Sequence, residues 1–134
     1  MSLELHLRFA GGLLIALAVL HAAFPKRFAW REELQRLSLL NRQIFLVHTF
    51  FIAAVLVFFG SLSLFLADEL LAGGRLARGV LMGFVVFWSL RLVIQLFVYD
   101  PALWRGQRFN TLIHVAFTVL WTYLVGIYIL ALRR

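Results

Sequence analysis

Residues 43–67 read QIFLVHTFFIAAVLVFFGSLSLFLA, an uncharged run that Asp68 and Glu69 close. About 20 consecutive apolar residues in an α-helix cross ~30 Å of hydrocarbon, so this run is long enough to span a membrane. Three further runs match it. The first covers about 3–24 and stops at Pro25, and another covers about 79–99 and stops at Asp100-Pro101. The last covers about 110–132 and is followed by Arg133 and Arg134. The chain has 134 residues, 63% hydrophobic and 14% charged, against about 25% charged in a soluble domain. The expected fold is all-α, a single integral membrane domain over 1–134 built as a four-helix bundle.

The first run lacks the marks of a cleaved signal peptide. Glu4 precedes Arg8, and Pro25, Lys26 and Arg27 follow where a small-residue cleavage site would stand. It reads as a retained helix. In the connection after it, Trp30, Leu34, Leu37 and Leu40 fall on one helical stripe, with Arg31, Glu32, Glu33 and Arg36 off it. This predicts a short amphipathic helix between spans 1 and 2, lying in the membrane interface or capping the bundle end. Gly73-Gly74 marks a tight turn between spans 2 and 3.

Net charge is +7, but the cations sit at span ends and in connections. That distribution points to lipid headgroups and topology control rather than to nucleic acid. Lys26, Arg27, Arg31, Arg36, Arg42, Arg105 and Arg108 flank connections 1–2 and 3–4. They outnumber Arg8, Arg75, Arg78, Arg133 and Arg134 on the other side. The positive-inside rule then places connections 1–2 and 3–4 in the cytoplasm. A bacterial inner membrane is the expected location.

Arg42–Phe51 (RQIFLVHTFF) and Arg108–Phe117 (RFNTLIHVAF) share Arg-x3-Leu-(Val/Ile)-His-x2-Phe, and each follows a Pro and a Trp-Arg pair. Two pseudo-repeated helical hairpins would make His48 and His114 equivalent.

Polar groups converge at one end of these spans. At ~1.5 Å per residue, His21 lies ~6 Å inside the end of span 1, His48 ~8 Å inside that of span 2, and His114 ~6 Å inside that of span 4. Trp88, Arg91, Gln95 and Tyr99 form one stripe on span 3. Arg91 is the costliest of them, because no Asp or Glu lies in spans 2 to 4 and Glu4 of span 1 lies at the opposite end, so none is placed to pair with it.

Three chemistries fit these residues. The leading expectation is haem b, with His48 and His114 as axial ligands and His21 as a third ligand or donor. Arg91 would meet a propionate, Gln95 and Tyr99 with it would bind an anionic or carbonyl group of the ligand, and the use would be electron transfer. The general layout is similar to small four-helix membrane cytochromes of type b, a likeness of architecture without a shared motif. A single Zn, Cu or Fe ion on the three imidazoles is the second. A quinone or lipid-headgroup site is the third. Against all three stands a non-catalytic accessory subunit or scaffold, alone as a homo-oligomer or within a larger membrane complex. No cysteine is present, which excludes disulfides and thiolate ligands. No phosphate-binding glycine loop and no catalytic pair of carboxylates is present either.

Overall fold

A computed structural model describes residues 2–134, and all regular structure among them is helical. Four long helices carry the chain: α1 (Leu3–His21), α4 (Leu39–Phe65), α6 (Arg75–Phe97) and α7 (Arg108–Leu132). Short helices α2 (Phe24–Arg27), α3 (Trp30–Glu33) and α5 (Ala67–Leu71) join them, with 3-10 turns at Leu34–Arg36 and Pro101–Leu103. The four long helices are the ones, among the described residues, long and apolar enough to cross a membrane. Two compact units divide the chain. One takes in the start of the chain as far as Leu7 together with Asp68–Arg134, and the other is Arg8–Ala67.

Within Arg8–Ala67, α1 and α4 meet backbone to backbone. A Cβ placed on Gly11 would lie 2.6 Å from both the Gly60 carbonyl oxygen and the Leu64 nitrogen. One placed on Gly60 would lie 2.9 Å from the Gly11 carbonyl oxygen. Only hydrogen fits at either position, the close approach that small residues permit between apolar helices. Arg8 strengthens the crossing by donating from Nη1 to the Leu64 carbonyl at 2.8 Å. That oxygen belongs to the last turn of α4, where carbonyls lack intrahelical partners.

α4 starts at Leu39, ahead of the expected residue 43. Ser38 caps it, its hydroxyl accepting from the Asn41 N–H at 3.3 Å, which satisfies one of the free donors of the first turn. The connection from α1 to α4 differs from the single amphipathic helix expected. Ala29 adopts φ 49° and ψ 38°, and this left-handed residue separates α2 from α3. Part of the stripe still turns inward. The Trp30 ring meets Phe45 of α4 edge-on at 4.8 Å, and Leu34 is buried. Leu37 and Leu40 stay exposed.

In the other unit, α6 and α7 form an antiparallel hairpin. Leu81, Phe84 and Trp88 of α6 are buried with Trp121, Leu124 and Tyr128 of α7. Phe84 meets Tyr128 edge-on at 4.9 Å, and Trp88 stacks on Trp121 at 5.2 Å with only 10° between the rings. The turn of the hairpin is pinned by its own polar groups. The Asp100 carboxylate accepts from the Ala102 N–H at 2.8 Å. Thr111 and Asn110 of α7 reach back to the carbonyls of Trp104 and Leu103 at 2.8 and 2.9 Å. Gly106 takes the positive φ (78°) that the turn requires. Further along α7, the Tyr123 hydroxyl and His6 Nδ1 share a hydrogen bond of 3.0 Å.

Candidate functional site

The α6–α7 hairpin brings Arg91, Gln95, Tyr99 and His114 together. Arg91 and Gln95 are one turn apart on α6, and His114 faces them from α7. Gln95 is buried at 5% exposure, and the other partners are half-buried or, for Tyr99 beyond the helix end, exposed. Arg91 donates from Nη1 to Gln95 Oε1 at 3.3 Å, and the Trp121 indole N–H approaches the same oxygen at 3.4 Å. Gln95 Nε2 lies 2.8 Å from His114 Nδ1.

These contacts fix the proton pattern. Guanidinium and indole N–H groups only donate, so the Gln95 atom they face must be its oxygen. The amide NH2 then donates to His114 Nδ1, and the His114 proton sits on Nε2. The imidazole is held flat against Trp104, ring centres 3.9 Å apart and 13° from parallel. Outward from this network, every remaining group can donate: the other guanidinium N–H bonds, His114 Nε2–H and the Tyr99 hydroxyl.

Arg91 has no acidic partner among the described residues. Its charge is met by aromatic faces, with the guanidinium carbon 4.9 Å from the centre of the Trp121 ring and 5.6 Å from that of Tyr99. Trp121 is itself sandwiched between Trp88 and Phe117, the latter at 5.5 Å. Helical side chains lean toward the N-terminus by default. Arg91 instead touches residues four and eight positions further on, so its charged end is directed toward the end of α6.

The other two candidate ligands, His21 and His48, belong to the unit Arg8–Ala67, and each is tied within its own helix. His21 Nδ1 donates to the Leu17 carbonyl and His48 Nδ1 to the Ile44 carbonyl, both at 2.8 Å. This places the proton on Nδ1 and leaves the Nε2 lone pair available, the arrangement common in metal-ligating histidines. His114 is the reverse case. It takes a metal at Nε2 only after its proton moves to Nδ1, which breaks the bond from Gln95. The two histidines of the sequence repeat therefore have different partners. Among the described residues no group of three or more His, Cys, Asp or Glu side chains is placed to hold a metal ion.

Sequence reasoning missed the supporting role of Trp104, which lies in the turn ten residues before His114. Its repeat position, Trp-Arg after Pro101, was the one available signal. Trp121 shares the helical stripe of His114 and Thr118, but neither its stacking nor its contact with Arg91 follows from spacing alone. No family model matches the chain, and no curated protein or solved structure matches it.

Proposed function

We propose that this chain is an integral membrane protein that holds the hydrogen-bond-accepting head of an amphiphile, a quinone or a lipid headgroup, against Arg91. The observation that carries the reading is that every outward group of the site can donate and its one charge is positive. A guanidinium in an apolar helix pair is held by a buried amide and two rings, no carboxylate among the described residues balances it, and most of its N–H bonds are left for a ligand. A deep cation without a partner is expensive in hydrocarbon, so an acceptor at this position offsets a cost the fold itself creates. The ligand's tail would remain in lipid. Gln95 acts as a positioning residue, since it holds the guanidinium, and His114 in turn holds Gln95.

The reading is tested by purifying the protein with its native lipids and extracting what accompanies it. Wild type should carry a stoichiometric acceptor-headed amphiphile, and Arg91→Gln should lose most of it. Equal amounts in both preparations would refute the site.

A second reading keeps the haem b or metal of the sequence analysis but replaces His114 by His21 beside His48 as ligand, because the Nε2 lone pairs of His21 and His48 are the ones left available. Electron transfer with a membrane-soluble partner would be its use. A reduced-minus-oxidised visible spectrum tests it directly. Sharp bands that His48→Ala abolishes would support haem, and a colourless protein would exclude it. For orientation, the excess of Lys and Arg supports connections α1–α4 and α6–α7 on the cytoplasmic face of an inner membrane.

A further inference from the structure

We infer that the head bound at Arg91 is a phosphate group, supplied by an anionic membrane lipid. This rests on the acceptor-head reading above and narrows it to one chemical class.

Charge is the first argument. A neutral carbonyl accepts a hydrogen bond but leaves the guanidinium charge uncompensated, whereas a phosphate removes both deficits at once. Valence is the second. The guanidinium presents five N–H donors in a rigid fork, of which one is given to Gln95. A phosphate places several acceptor oxygens on one centre and matches the fork in pairs. A quinone carbonyl offers a single oxygen at that point.

Depth is the third. Arg91 lies six residues before the end of α6 at Phe97, about 9 Å along the axis. Its contacts with Gln95 and Tyr99 carry the charged end further toward that terminus, the behaviour of a cation reaching for the headgroup layer. The surroundings agree. Arg105 and Arg108 are exposed on the same hairpin turn, and Leu103 and Phe109 beside them are exposed apolar residues suited to the interface. Asp100, the acid of this turn, is engaged with the Ala102 N–H.

The full-length chain in a phosphate-free maltoside detergent provides the test, with binding followed by native mass spectrometry. The probes are phosphatidylglycerol, inorganic phosphate and a decyl-substituted quinone. Phosphatidylglycerol should bind wild type, and Arg91→Gln should weaken it by about tenfold or more, the usual effect of losing a charged hydrogen bond. Arg91→Lys should fall between, since it keeps the charge but not the fork. Joint replacement of Arg105 and Arg108 by Gln should cost less than Arg91→Gln. Circular dichroism establishes that each variant is helical, and Arg91→Lys serves if Arg91→Gln does not fold. Inorganic phosphate that binds only weakly identifies the lipid as the source. Binding as tight as that of the lipid identifies free phosphate instead, and phosphate recognition stands. Phosphatidylglycerol binding that Arg91→Gln leaves unchanged overturns the inference. Arg91-dependent quinone binding without lipid binding also overturns it, while the acceptor-head reading survives. If none of the probes binds, both fall.

Discussion

Gln95 holds its neighbours together because an amide both donates and accepts. Its oxygen faces Arg91 and Trp121, and its NH2 faces His114. Replacing His114 by Leu leaves a buried amide donor unpaired, a loss of roughly 1–3 kcal/mol. His114→Leu should therefore lower unfolding stability in detergent by that amount, and His114→Asn, which retains an acceptor, should recover part of it. Stability equal to wild type in His114→Leu would mean that the 2.8 Å contact contributes nothing. Ala29 offers the opposite case. A left-handed non-glycine residue costs roughly 1–2 kcal/mol, and nothing in the sequence around it (Phe28-Ala29-Trp30) signals a turn. Ala29→Gly should stabilise the protein by up to about 1 kcal/mol in the same assay, the flexibility of unfolded glycine offsetting part of the relief. At this scale the sequence was informative where chemistry is costly: Arg91, Gln95 and His114 stand out because they are polar in apolar runs. Trp104 did not stand out, since an aromatic side chain at a membrane boundary is ordinary, and Tyr123 did not because it is one aromatic residue among many within the spans.

The long helices were legible because 20 apolar residues have few alternatives. Their ends were not, because Ser38 and Gly74 set them from outside the apolar runs. Helix contacts were legible only as a class. Gly11, Gly12, Gly79 and Gly83 look alike in sequence, yet a Cβ on Gly11 would strike backbone, while one on Gly12, Gly79 or Gly83 would meet nothing within 4 Å. The amphipathic stripe after α1 failed as one helix for a related reason: periodicity cannot see a single left-handed residue. The glycine contrast is directly measurable. Gly11→Ala and Gly60→Ala should each destabilise the α1–α4 pair by about 1–3 kcal/mol, the range for overpacking a close contact. Gly12→Ala, Gly79→Ala and Gly83→Ala should be neutral or slightly stabilising, because alanine is the better helix former. Thermal unfolding in detergent separates the two sets, and a common response from all five would dismiss the close crossing.

Across the whole molecule the apolar surface is turned outward. Only 11% of the most apolar window of α4 is buried, and Phe50, Phe51 and Phe58 are each more than half exposed. Exposed apolar surface on this scale calls for lipid or a partner, and four long apolar helices suit lipid. If all four long helices cross a membrane, the even number of crossings would put the Lys- and Arg-rich connections on one face and the short α5–α6 connection on the other. The chain contains no cysteine, so single cysteines report sidedness without background. Gln35→Cys, Ala72→Cys and Ala102→Cys are all exposed positions, and these replacements leave every charge that directs insertion in place. In intact cells a membrane-impermeant maleimide should label Ala72→Cys alone, with Gln35→Cys and Ala102→Cys reacting only after lysis. The reverse pattern would invert the orientation and keep the four crossings. Labelling of Gln35→Cys and Ala102→Cys on opposite faces would break the even-crossing arrangement itself, because an even number of spans between them cannot separate those two connections.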